Sequence, residues 1–326
     1  MINYTIFGES HGPAIGVVMT GLPSGLALDM EAVALEMERR APGRDATSTA
    51  RREGDKVQIL SGMFEGRTTG TPLCAVIPNT DTRSKDYSKL KDLPRPGHGD
   101  YTGSVRYGGF ADYRGGGHFS GRLTAPLVFA GAVAKQLLAQ RGIAVGSRID
   151  LLGGVANPTE EQIDAIILAA KAEGDSVGGA VQCTVSGVPA GFGAPDLGEN
   201  AEGIFAKHLF AVPGVKGIEF GAGFGFASMR GSQANDPFVM DGDTVRTCTN
   251  HAGGINGGIT NGMPLVFRVA MRPTPSIGKP QQTVSLSKGT NEELVIHGRH
   301  DPCIVKRALP VIEAAAALAV CEIMRI

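Results

Sequence analysis

The sequence predicts an α+β fold built from two related halves, with helices packed against sheets. Three observations support this. β-branched runs alternate with helical patterns, some of them apolar nearly all round, and pairs of glycine-marked motifs recur in the same order. No Gly/Ser linker or break in composition divides the chain, so residues 1–326 are expected to form a single domain.

The elements follow in order. A short apolar strand is expected over 4–7 and an alternating β-branched strand over 16–20. Asp29 reads as an N-cap, followed by a helix whose apolar face is Met30, Val33, Ala34 and Met37; it closes at Arg39-Arg40 and is ended by Pro42-Gly43. A strand is expected over 74–77. A buried helix follows over 124–141, with Pro126 tolerated in its first turn. Thr159-x-x-Gln162 is a capping box for a helix burying Ile163, Ile166, Ile167 and Ala170. Strands over 181–186 and 266–271 come next. The last helix is expected to start at an Asp301 N-cap with Pro302 at the first position, run to Met324 and kink at Pro310.

The repeat is specific in its order. Gly21-Leu22-Pro23-Ser24-Gly25 returns as Gly187-Val188-Pro189-Ala190-Gly191, and Gly62-x3-Gly66-x3-Gly70-x-Pro72-Leu73 returns as Gly254-x3-Gly258-x3-Gly262-x-Pro264-Leu265. Two pseudo-repeat halves of about 1–145 and 175–326 are expected. Chance matching in a glycine-rich chain is the alternative.

Composition narrows the function. The 31 basic and 32 acidic side chains nearly cancel, so no overall field gathers nucleic acid or an anionic membrane. The longest near-apolar run, 125–134, is about half a bilayer span. Met1-Ile2-Asn3-Tyr4 has no secretory pattern, and five scattered cysteines do not form a disulfide framework, so a cytoplasmic protein is expected. The 47 glycines in 326 residues are about twice the average share and lack a collagen period. Close approach of backbone to something bound explains them better than disorder does.

Four segments could carry chemistry. Gly8-Glu9-Ser10-His11-Gly12 presents a histidine at a strand end, although a plain turn would read the same way. Arg39, Arg40, Arg44, Arg51 and Arg52 crowd one stretch, and guanidinium forks suit carboxylate and phosphate oxygens; a solvated helix end is the plainer alternative. Arg95-Pro96-Gly97-His98-Gly99-Asp100-Tyr101 frames a second histidine suited to proton transfer near neutral pH. Arg114-Gly115-Gly116-Gly117-His118-Phe119-Ser120-Gly121-Arg122 leads into the buried helix, whose N-terminus favours an anion. This stretch is no P-loop, and Gly221-Ala222-Gly223-Phe224-Gly225 is no dinucleotide fingerprint. His297, His300 and Cys303 suggest a metal, but Arg299 would repel one, and no metal is expected.

Together these segments resemble the chorismate synthase family nearly end to end. The match includes Phe7-Gly8-Glu9-Ser10-His11-Gly12, Thr68-Thr69-Gly70-Thr71-Pro72, Asn79-Thr80-Asp81, Arg95 to Thr102 and Asp112-Tyr113-Arg114-Gly115-Gly116-Gly117. It continues through Asn250-His251-Ala252-Gly253-Gly254-Ile255, Arg272-Pro273-Thr274-Pro275-Ser276 and Gly298-Arg299-His300-Asp301-Pro302-Cys303. The resemblance implies a homotetramer with a β-α-β sandwich fold. It implies an anti 1,4-elimination of phosphate from 5-enolpyruvylshikimate-3-phosphate to give chorismate, dependent on reduced FMN.

By the same resemblance, Ser10, Arg40, Arg44, Arg95, Ser120, Arg122 and Arg299 hold the substrate. His11 donates a proton to the departing phosphate. His98 protonates or stabilises the N1–C2=O edge of the reduced flavin, and Asp301 helps flavin N5 accept the C6 proton. Implied FMN contacts are His118, Phe119, Ser120, Pro213, Gly214, Gly257, Arg272, Pro273, Thr274, Pro275, Ser276 and Arg299. The chain departs from the family where Arg, Ser and Glu are replaced by His118, Phe119 and Leu123. The chain also lacks the insertions of longer members, so an external flavin reductase is expected; NADPH enters only if the protein reduces its own flavin. The rival reading is a flavin-binding oxidoreductase or binding protein on the same fold that has lost the elimination.

Overall fold

In the computed structural model, which describes residues 1–43, 47–48, 54–80, 90–296 and 301–326, the chain opens with strands β1 (Asn3–Gly8) and β2 (Ala14–Thr20). Helix α1 (Met30–Arg40) is capped as expected: the Asp29 carboxylate accepts from the backbone N–H groups of Glu31 and Ala32 at 2.9 and 3.0 Å. Strand β3 (Gln58–Ser61), a small hairpin of β4 (Met63–Phe64) and β5 (Arg67–Thr68), and strand β6 (Leu73–Pro78) follow, then α2 (Asp100–Arg106) and α3 (Thr124–Ala139). The second half runs β7 (Ala144–Leu152), β8 (Val155–Ala156), α4 (Glu160–Ala172), β9 (Gly179–Ser186), α5 (Ala201–Phe210), β10 (Val215–Phe220) and α6 (Gly231–Ala234). Hairpins β11 (Phe238–Asp241) with β12 (Thr244–Thr247) and β13 (Ile255–Asn256) with β14 (Ile259–Thr260) lead to β15 (Leu265–Met271). A last hairpin, β16 (Gln281–Ser285) with β17 (Thr290–Leu294), precedes α7 (Val305–Ile323).

Two antiparallel sheets share one order. The first is β1-β2-β6-β3, and the second, read from the other edge, is β8-β7-β9-β15-β10. The repeated motifs occupy matching places. Thr68 Oγ1 donates to the Pro23 carbonyl at 2.6 Å and accepts from Leu26 N; Thr260 Oγ1 donates to the Pro189 carbonyl at 2.7 Å and accepts from Phe192 N. A Cβ on Gly21 would sit 2.2 Å from the Met1 carbonyl oxygen, and one on Gly187 would sit 2.2 Å from that of Gly142. Both positions therefore exclude side chains. Segment 146–174, outside both repeats as read from sequence, supplies most of β7 together with β8 and α4.

Helices fill the space between the sheets. α3 packs on β1, β2 and β6, α7 packs on β7 and β9, and the two helices pack on each other. The result is an α+β sandwich of sheet, helices and sheet, with an internal repeat. Alternation in the strands points Leu73, Ala75 and Ile77 on one side, and Leu265, Phe267, Val269 and Met271 on the other, into one shared core. Where the helices cross, a Cβ on Gly131 would lie 2.1 Å from Ala314 Cβ and 2.3 Å from its Cα. Gly131→Ala gains about 1 kcal/mol of helix propensity, but it must force a buried helix backbone outward. The clash should win, with a net loss of about 1–3 kcal/mol in urea unfolding.

Several expectations need correction. Asp301 does not cap α7, which starts at Val305 after Ile304, because the Asp301 carboxylate is engaged by Arg307 instead. Pro310 lies inside that helix, where the sequence places it. Ala34 is exposed, and the inward face of α1 is completed by Arg40. Arg39 is committed to Glu313, which accepts from it at 2.7 and 2.8 Å and also binds Lys135 and Ser147. Among the described residues no helix is long and apolar enough to cross a membrane.

Candidate active site

A cavity of about 250 Å³ opens between the C-terminal end of α1, the N-terminal ends of α3 and α7, and the loop after β15. Arg40, Arg95, Arg122, Arg272 and Arg307 line it, and Asp301 is the one carboxylate on the wall among the described residues. Asp55 and Asp100 stand behind three of these guanidiniums, and the five still outnumber the carboxylates, which makes the cavity an anion site.

Two of these arginines are locked from behind. Asp55 accepts from Arg40 Nη1 at 2.7 Å and, by its other oxygen, from Arg122 Nη1. Arg40 Nε also donates to Thr124 Oγ1 at 3.0 Å, and Arg122 Nε donates to Asn79 Oδ1 at 3.1 Å. Burial pushes the Asp55 carboxyl up, but the two guanidiniums outweigh burial and hold it below its ordinary range. Burial brings Arg40 down to about 10, so it stays charged at neutral pH. Asn79 Nδ2 donates to the Glu9 and Gly12 carbonyls, joining this clamp to the His11 turn.

A second cluster stands at the start of α2. Asp100 accepts from Arg95 Nε at 2.7 Å and Arg95 Nη2 at 2.8 Å, and its Oδ1 lies 2.6 Å from His98 Nδ1. Arg95 Nη1 donates to Ser276 Oγ at 3.2 Å. Burial lowers the His98 pKa, Asp100 raises it, and Arg95 and Arg272 lower it further. Gly99 and Gly103 leave room for the Phe119 ring, whose nearest atoms would lie 3.1 and 2.4 Å from added Cβ atoms. Phe119 thus packs on α2 while still lining the cavity.

The third cluster is Asp301 with Arg307. Arg307 Nη1 donates to Asp301 Oδ2, and its Nε donates to the Arg40 carbonyl at 3.0 Å. Asp301 Oδ1 is buried without a hydrogen-bond partner among the described residues, as is Thr274 Oγ1 on the same wall. Burial pushes the Asp301 carboxyl above its ordinary range against the pull of Arg307 and Arg40.

Most of the residues expected from sequence converge here: Arg40, Arg95, His98, Phe119, Ser120, Arg122, Pro213, Gly214, the 272–276 segment and Asp301. Others do not reach the wall. Ser10 and His11 lie behind Gly115, where a Cβ would fall 2.0 Å from His11 Nδ1; the positive φ of +60° also requires glycine. His118 Nδ1–H donates to the Gly8 carbonyl at 3.0 Å, away from the cavity lining. Gly257 sits in the β13–β14 turn, also off the wall. Arg44 and Arg299, like Arg51, Arg52, His297 and His300, lie outside the described residues. Sequence reasoning missed Asp55, Asp100 and Arg307. A carboxylate directly after an arginine-rich stretch, and another two residues after His98, were the available signals for the first two.

Comparison with known proteins agrees with the geometry. The profile of the family described as chorismate synthase matches residues 2–324. A chorismate synthase of Thermococcus gammatolerans is 47% identical over 99% of this chain and 95% of its own length, and one of Chitinophaga pinensis is 47% identical over the same shares. One of Dehalococcoides mccartyi strain BAV1 is 45% identical over 99% and 94%. A solved structure titled "Crystal Structure of Chorismate Synthase" superposes with a TM-score of 0.76 at 27% identity, covering 99% of this chain and 91% of that one. Fold and site together define a sandwich enzyme with an arginine-walled cavity. The chain belongs to the chorismate synthase family, and as such it is a carbon–oxygen lyase.

Proposed function

We propose that the protein eliminates phosphate from 5-enolpyruvylshikimate-3-phosphate by an anti 1,4-route to give chorismate, the last common step of the shikimate pathway, with reduced FMN bound beside the substrate. The observation that carries this reading is one cavity with five arginines, a pocket histidine and a buried, half-unpartnered carboxylate. The orphaned Asp301 Oδ1 and Thr274 Oγ1, on a wall that also carries Pro273, Pro275 and the Phe119 ring, fit a polar-edged aromatic cofactor. Reduced FMN, when bound, supplies transient electron density to the breaking C–O bond.

Arg40 and Arg122, preset by Asp55, grip anionic oxygens of the substrate with Ser120, and Arg307, bonded to the Arg40 carbonyl, and Arg95 add to the cationic wall. Pro213, Gly214, Arg272, Thr274 and Ser276 would hold the cofactor. His98 would serve the N1–C2=O edge of the flavin, and Asp301 would assist removal of the C6 proton of the substrate. His11 is the proton donor to departing phosphate, packed against Gly115 of the cavity wall. His118, Gly257, Arg44 and Arg299 belong to the proposed site by resemblance alone. The working form is a cytoplasmic homotetramer reduced from outside. Exposed Phe238, Met240 and Val245 on the β11–β12 hairpin suit burial between copies, and five free cysteines suit a reducing compartment.

The test is anaerobic stopped-flow mixing of protein, dithionite-reduced FMN and substrate. Chorismate absorbance with stoichiometric phosphate is the expected result. Tight flavin binding with neither product would refute the lyase and favour the flavin-binding rival.

A further inference from the structure

His98 has two ring nitrogens in unlike settings. Nδ1 lies 2.6 Å from Asp100 Oδ1 and 3.1 Å from Arg95 Nη2. Nε2 makes no hydrogen bond among the described residues and would lie 3.2 Å from a Cβ on Gly116, and the His98 side chain lines the cavity. Two acceptors cannot approach to 2.6 Å without strong repulsion, so Nδ1 must carry a proton aimed at the carboxylate. Arg95 Nη2 is then a second donor converging on the same Oδ1, at 2.8 Å.

We infer that Asp100 is a positioning residue that locks His98 in its Nδ1–H tautomer, so that the bare Nε2 faces the cavity as an acceptor. This inference rests on the proposed role of His98 towards the reacting molecules. The groups facing His98 all act in one direction or the other on its charge: Asp100 favours the cation, while Arg95 and Arg272 oppose it, as does burial. A neutral ring with a fixed tautomer is the balance of these. Such a ring can take up a proton at Nε2 and return it, whereas the other tautomer would present an N–H to the site.

Asparagine at position 100 should reverse the tautomer. Asp100 Oδ2 accepts from both Arg95 N and Arg95 Nε, at 3.1 and 2.7 Å. An amide NH2 on that side would face two Arg95 donors that cannot yield, whereas on the Oδ1 side it meets Arg95 Nη2 and a His98 ring that can give up its Nδ1 proton, so the Asn carbonyl stays on the Oδ2 side. Its NH2 then points at His98 Nδ1, which can only accept, and the ring proton moves to Nε2.

Nitrogen-15 NMR of ligand-free protein labelled at its seven histidines reads this directly, with His98→Gln assigning the signal. Above neutral pH the expected result is Nδ1–H in the wild type and Nε2–H in Asp100→Asn, whose turnover falls at least about tenfold. A wild-type His98 in the Nε2–H form overturns the inference, even if the variant does not fold. A reversed tautomer with undiminished turnover overturns the role of Asp100 in the reaction. Wild-type protein with Nδ1–H but no turnover counts against the lyase reading instead, and leaves the tautomer lock supported.

Discussion

Asp55→Ala is expected to cost about 3–5 kcal/mol of stability, a fall in thermal midpoint on the order of 10 °C, because it strands two buried guanidiniums on a single missing partner. Arg40 and Arg122 are 2% and 4% exposed, so water cannot take over from the carboxylate. The effect should depend on pH with a definite sign. A carboxyl whose folded pKa lies below its unfolded value near 3.8 contributes its full stabilisation above that value. The contribution is lost as pH falls towards the folded value. Wild type and variant should therefore differ most at neutral pH and converge below about pH 4. Thermal melts across that range, on ligand-free protein, would show a constant gap if Asp55 were not the counter-charge. Substrate affinity should fall too, since the two arginines lose their preset geometry.

Asp301→Asn is expected to lower turnover by about a hundredfold or more, the range for a lost acid–base group. Asparagine keeps the shape and still accepts from Arg307, so cavity and fold should persist. Burial holds the Asp301 pKa above the ordinary carboxylate range, and its charged form becomes available only above that raised value. The acid limb of the wild-type rate profile should accordingly lie above the usual aspartate range and be absent from the variant. A variant with wild-type turnover and an unchanged acid limb would remove Asp301 from the chemistry. Measuring flavin binding alongside separates lost chemistry from lost cofactor.

Much of the architecture is readable along the chain because its causes are local. The Asp29 cap and the Thr159–Gln162 box each depend on atoms within three residues of one another, and the structure contains both. The repeat is equally plain, since Gly21 and Gly187 each meet a carbonyl that leaves no room for a Cβ. Where local signals competed with distant partners, they failed. Asp301-Pro302 has the look of a helix start, but a guanidinium one turn into the helix claims the carboxylate. Arg39 and Arg40 are neighbours in sequence and point to different ends: Glu313 on α7 for one, Asp55 behind the cavity for the other.

From residue order alone came the family, the two-part plan and the identity of most side chains that meet at the cavity, because short motifs carry backbone geometry and ligand chemistry together. Which of those side chains face the cavity came from packing. His11 and His98 sit in similar glycine frames, yet the first lies against Gly115 off the wall while the second lines the cavity. Pairing of buried charges was likewise set in three dimensions: Asp55, Asp100 and Arg307 matter because desolvation makes an unpaired charge costly, and only the folded chain shows which charges lose their water.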